Sequence, residues 1–153
     1  MPDQTAITAA DVDRVVGWTV IRAARRAARL LDLTLKPHEL TPVEFGVLAQ
    51  LAAAQGELTQ AEVARAVEVR PQSAAPVIDG LAERGLLRRE GTRGRGRSGR
   101  LLLSPAGAEL LRAAFPDVLA TNPAFTHSGT DHADVVNAAL LNFLGQNHHL
   151  DVV

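Results

Sequence analysis

At 153 residues, 46% of them hydrophobic, the chain is long enough for one domain with a real core and an added dimerisation element. Its apolar runs are too short to cross a membrane, and Met1 is followed by Pro2, Asp3 and Gln4 rather than by a basic and then apolar leader. It has no cysteine, so disulfides, thiolate metal sites and thiol nucleophiles are excluded and a cytoplasmic protein is expected. The net charge of -1 argues against indiscriminate coating of nucleic acid but hides a segregation. Six arginines face only Glu90 between Arg88 and Arg100, whereas Ala113 to Val153 holds Asp117, Asp131, Asp134 and Asp151 with no lysine or arginine.

Along the chain, Val12, Val15, Val16, Val20, Ala24, Ala27, Ala28 and Leu31 recur at helical spacing and predict a helix over 11–33, followed by a loop at Lys36, Pro37 and His38. Thr41, Pro42 and Glu44 form a capping box that opens a second helix, with Phe45, Leu48, Ala49 and Ala52 as its apolar stripe and Gly56 as its end. Thr59 and Glu62 repeat the box for a short helix to about Val67. Pro71 then starts a helix carrying Ala74, Val77, Ile78 and Leu81, closed by Gly85. Leu86 to Glu90 and Arg100 to Leu103 are expected to pair as a hairpin around the Gly/Arg-rich span 91–99. Ser104 and Pro105 start another helix, which Pro116 is expected to disturb. A polar linker from Thr121 to Gly129 leads to a last helix that begins at Thr130 and Asp131, carries Val135, Val136, Ala139, Leu140, Phe143 and Leu144, and ends at Gly145.

Two short helices joined by a tight turn leave the outer face of the second free to enter a major groove. That face carries Gln72, Ser73, Pro76 and Asp79. Gln72 can address adenine, Ser73 a base edge or a phosphate, and Arg70 sits where a helix start meets the backbone. Thr59 and Gln60 are placed to hold phosphate at a helix N-terminus. The hairpin then acts as a wing, in which Arg93, Arg95 and Arg97 alternate with glycines that let the backbone approach a narrow minor groove.

These residues resemble the MarR family of winged-helix regulators. The run Leu-Thr-Pro-Val-Glu-Phe-Gly-Val-Leu from Leu40 is similar to the family's second helix, and Leu-Thr-Gln-Ala-Glu-Val-Ala from Leu58 to its third. Leu81 to Leu87 resembles the end of its recognition helix and the entry to the wing, and Leu103, Ser104 and Gly107 its post-wing signature. The resemblance implies a mainly α chain: a winged helix-turn-helix lobe over 39–104 with a two-stranded wing, flanked by a dimerisation helix in 1–38 and dimerising helices in 105–153. It also implies a homodimer on a double-stranded DNA operator, acting as a repressor and released by a small aromatic or phenolic effector. Trp18, His38 and Phe45 are candidate effector contacts near the dimer helices. The chain departs from the family at three places. Pro76 stands where arginine is common and is expected to cost the Gln72 carbonyl its hydrogen bond. Glu68 stands where the bend often has glycine, which predicts a strained left-handed backbone or a different turn. In the wing, only the arginine side of an Asp-x-Arg pairing is represented.

Other readings weigh less. Arg22, Arg25, Arg26 and Arg29 form a stripe at helical spacing that reads as a solvated or salt-bridged face. His127, Asp131, His132, Asp134, His148 and His149 can be drawn as a zinc site, but their spacing does not require one, so no metal or cofactor is expected. Catalytic signatures such as a P-loop, Gly-x-Ser-x-Gly or His-Glu-x-x-His are absent, and no enzyme is expected. The alternative is a winged-helix protein-interaction module with reduced or lost DNA binding, suggested by Pro76 and by the lack of lysine or arginine between Arg70 and Arg84.

Overall fold

A computed structural model describes residues 6–55, 57–91, 99–125 and 132–146. The helix predicted over 11–33 is divided. Helix α1 (Ala9–Asp13) is capped by a Thr8–Asp11 box, and α2 (Val16–Leu35) starts afresh after Val15, whose backbone is extended at φ -81, ψ 95. The division falls where Val12, Val15, Val16 and Gly17 concentrate β-branched and glycine residues, which disfavour the helical state. The Lys36–His38 segment, expected as a loop, is a 3-10 turn.

Helices α3 (Pro42–Ala53), α4 (Gln60–Ala66) and α5 (Pro71–Glu83) form the predicted cluster, with both capping boxes in place. Three connections end in the same way. Glu39, Glu68 and Gly85 adopt positive φ (54, 53 and 70), and the next amide reaches back five residues, from Leu40 to Leu35, Val69 to Ala64 and Leu86 to Leu81. This is the Schellman closure, in which the residue after the left-handed one turns an apolar side chain into the core. Of the two outcomes expected at Glu68, a left-handed backbone or a different turn, the left-handed backbone is the one found, held by the bonds of the Glu68 and Val69 amides.

The hairpin consists of β2 (Leu87–Glu90) and β3 (Arg100–Leu103), paired antiparallel with Leu87 opposite Leu103 and Glu90 opposite Arg100. A third strand, β1 (Leu58–Thr59), was not expected. It pairs with the other edge of β3, so the order is β1-β3-β2.

Helix α6 (Pro105–Leu119) runs through Pro116, which was expected to disturb it, and α5 runs through Pro76. In each case the carbonyl deprived of a partner belongs to an exposed residue, Arg112 or Gln72, where water can satisfy it. A 3-10 turn (Asn122–Phe125) occupies part of the expected linker, and α7 (Ala133–Gln146) follows; the start expected at Thr130 and Asp131 lies outside the described residues.

One apolar core joins these elements: Leu35 from α2, Val47, Leu48 and Leu51 from α3, Val63 from α4, Ile78 and Leu81 from α5, Leu101 from β3, Leu111 and Ala114 from α6. Each fully buried large aliphatic side chain contributes about 1.5–3 kcal/mol. The core thus takes in residues on both sides of 39–104. By contrast Val16, Val135, Leu141 and Phe143 are more than half exposed. Among the described residues no helix is long and apolar enough to cross a membrane.

Candidate nucleic-acid interface

Helix α5 is presented by its neighbours. Its inner stripe, Ala74, Ile78 and Leu81, is fully buried, which turns Pro71, Gln72, Ser73, Pro76 and Asp79 outward. At its far end the Arg84 guanidinium donates to the Glu39 carbonyl at 2.8 Å and to Glu44 Oε1 at 3.2 Å. The other Glu44 oxygen accepts the Thr41 amide at 2.7 Å, so one carboxylate both caps α3 and anchors α5. Arg89 of β2 donates to Asp79, fastening the hairpin to the outer face of α5. Arg100 of β3 pairs with Glu57 just before β1.

The Thr59 hydroxyl accepts from the Glu62 amide at 3.2 Å and donates to Glu62 Oε2 at 2.7 Å. The backbone and hydroxyl donors of Thr59 hold the Glu62 carboxyl below its ordinary range. This hydroxyl is already committed to capping α4, whereas the Gln60 side chain beside it takes no part in that cap. Arg70, at the N-cap of α5, is exposed and makes no side-chain cap bond. Arg65, Arg70 and Arg88 have no ion-pair partner among the described residues. Arg93, Arg95 and Arg97 lie outside the described residues.

The three candidate effector contacts separate. His38 Nε2 lies 2.7 Å from Asp117 Oδ2, and Phe45 stacks on Phe115 with centroids 6.2 Å apart, so both meet α6. Trp18 instead lies 5.9 Å from the Arg25 guanidinium on its own helix. Beside Phe115 an open cleft of about 390 Å³ runs between α3, β3 and α6, lined by Ala52, Leu103, Ala108 and Leu111, with Arg112 as its charged residue. Sequence reading missed this cleft because its walls come from segments some 60 residues apart. The arginine stripe of α2 borders a shallow groove, where Arg22 pairs with Asp13 at 3.0 Å. Among the described residues no cluster of three or more metal-ligating side chains occurs, and His127, Asp131, His148 and His149 lie outside them.

Residues 38–98 match the model of the MarR family. No curated protein matches. Among solved structures, a MarR-family transcriptional regulator from Silicibacter pomeroyi is 22% identical, with a TM-score of 0.73 over 93% of this chain and 95% of its own. The Bordetella bronchiseptica regulator BpsR, whose DNA binding is regulated by 6-hydroxynicotinic acid, is 24% identical, with a TM-score of 0.73 over 85% and 98%. The transcriptional repressor CouR, bound to a 23-mer DNA duplex, is 24% identical, with a TM-score of 0.69 over 95% and 100%.

Proposed function

We propose that this chain, whose residues 38–98 match the MarR-family model, is a homodimeric, sequence-specific DNA-binding transcriptional regulator of that family. The observation that carries this reading is the presentation of α5: its apolar stripe is buried, the outer face of its first turns is exposed, and Arg84 and Arg89 fix its C-terminal half to the rest of the lobe. Helix α5 enters the major groove, with Gln72 and Ser73 at base edges and Arg70 at the backbone. Gln60, on the α4 start that Thr59 caps, donates to a phosphate. Arg93, Arg95 and Arg97 serve the wing in the minor groove.

Dimerisation uses α1, the first turns of α2, and α7. Ile7, Val15, Val16, Val135, Leu141 and Phe143 are 54–81% exposed in the single chain, a concentration of apolar surface that a second copy covers. Two α5 helices then reach successive major grooves about 10 base pairs apart. The regulator is a repressor, and the cleft beside Phe115 takes a small aromatic effector whose acidic group pairs with Arg112. CouR, a repressor on DNA, and BpsR, controlled by an aromatic acid, support this extension by similarity of fold.

Selection of the full-length protein against random duplexes at moderate salt tests the reading. An enriched palindrome with half-sites one helical turn apart is expected, along with displacement from it by a member of an aromatic-acid panel. No enrichment at any salt would leave the winged helix as a protein-interaction module.

A further inference from the structure

The outward face of α5 carries an unusual set of groups for a helix offered to a duplex. From Pro71 to Glu83 it has no lysine or arginine. Asp79, whose carboxylate could accept from cytosine N4, is engaged by Arg89 of β2. In the first two turns, the groups left to reach base edges are the Pro71 ring, the Gln72 amide, the Ser73 hydroxyl, the half-exposed Ala75 methyl and the exposed Pro76 ring. Gln72 and Pro76 are one turn apart and lie side by side along the same face. An amide suits the paired N6 and N7 of adenine, and an apolar group suits the thymine methyl. Guanine O6 and N7 call for a guanidinium or ammonium, and the body of this helix supplies neither.

We infer that α5 reads A·T pairs, with Gln72 on an adenine and Pro76, aided by Ala75, against the methyl of a neighbouring thymine, so that Pro76 sets operator specificity. This rests on the DNA-binding reading above. A proline ring suits such a contact because it has no rotamer freedom to lose and presents three methylenes in a fixed direction. The helix tolerates it because the carbonyl it leaves unpaired belongs to exposed Gln72.

The test takes the duplex enriched from the random library and remakes it with deoxyuridine in place of the thymine under α5 in each half-site. That change removes only the methyl. Wild-type dimer should lose roughly tenfold in affinity for the two methyls together. Pro76→Ala should lose most of that sensitivity, and Pro76→Arg should shift the selected pair toward guanine. Alanine and arginine are better helix formers than proline, so neither variant is expected to fail by unfolding. Enrichment of G·C pairs under α5, or equal affinity for the thymine and deoxyuridine duplexes, would overturn this inference and leave the regulator reading standing. No enriched duplex at all would overturn both.

Discussion

Gly107 sits in the first turn of α6, and a Cβ built there would lie 2.0 Å from the Leu86 carbonyl oxygen and 2.9 Å from Leu103 Cδ1. The close approach is made by bonds around it. The Ser104 amide donates to the Leu86 carbonyl at 3.1 Å, and the Ser104 hydroxyl donates to the Gly85 carbonyl at 2.6 Å while accepting from the Gly107 amide at 2.9 Å. The turn that ends α5 is thereby fixed to the start of α6, and neither backbone can retreat without losing several bonds. Gly107→Ala should destabilise the protein by about 3 kcal/mol, the upper end for overpacking, because the obstacle is backbone rather than a pliant side chain. For a chain of this size that is a fall in melting temperature on the order of 10 °C. A thermal melt unchanged within a degree would show that the turn can yield. The sequence marked Gly107 only through a resemblance; the reason for glycine is a contact with Leu86, 21 residues away, which no local pattern carries. Glu68 differs in the range of its cause. There too the resemblance marked the position, as one where the bend often has glycine, but the left-handed backbone is set locally, by the Glu68 and Val69 amides closing onto the end of α4.

At the level of elements, legibility followed the locality of the determining interaction. The boxes at Thr41–Glu44 and Thr59–Glu62 are three-residue relations, and both helices begin where these place them. Strand β1 escaped notice because it comprises only Leu58 and Thr59, and Thr59 doubles as a helix cap; the pairing partner, Leu101, lies far along the chain. The apolar pattern of α7 was legible, but its burial is not supplied within one chain. Val135, Val136, Leu140, Leu141, Phe143 and Leu144 are each at least 38% exposed, and they cover more than one face of the helix. Such a helix is stable when it is surrounded, which the proposed dimer provides. Leu140→Glu combined with Phe143→Glu should therefore convert the dimer to monomer in analytical ultracentrifugation. The lobe's circular-dichroism signal should be retained, because none of its core residues is touched. A dimer of unchanged affinity would remove α7 from the interface.

For the whole molecule, the net charge of -1 is less informative than where the charges sit. Two basic regions are available to a polyanion, and their chemistry separates them. On α2, Arg22 is paired with Asp13 and Arg25 lies over Trp18, so part of that stripe is already engaged within the chain. In the hairpin, Arg89 and Arg100 are likewise held, by Asp79 and Glu57, on the strands that lead into residues 91–99. Arg93, Arg95 and Arg97 were assigned from sequence spacing alone and lie outside the described residues, so their role rests on the placement of β2 and β3 beside α5. The neutralisation of each phosphate releases condensed counterions, which makes the salt dependence of affinity a count of backbone contacts. Replacing Arg95 and Arg97 with alanine should weaken binding to every duplex sequence. It should also flatten the plot of log affinity against log salt by roughly one unit per lost contact, about four for a dimer that loses two arginines in each protomer. Replacing Arg26 and Arg29 on α2 should leave that slope unchanged. If the α2 pair moves the slope and the wing pair does not, the duplex lies along the first long helix and not against the wing.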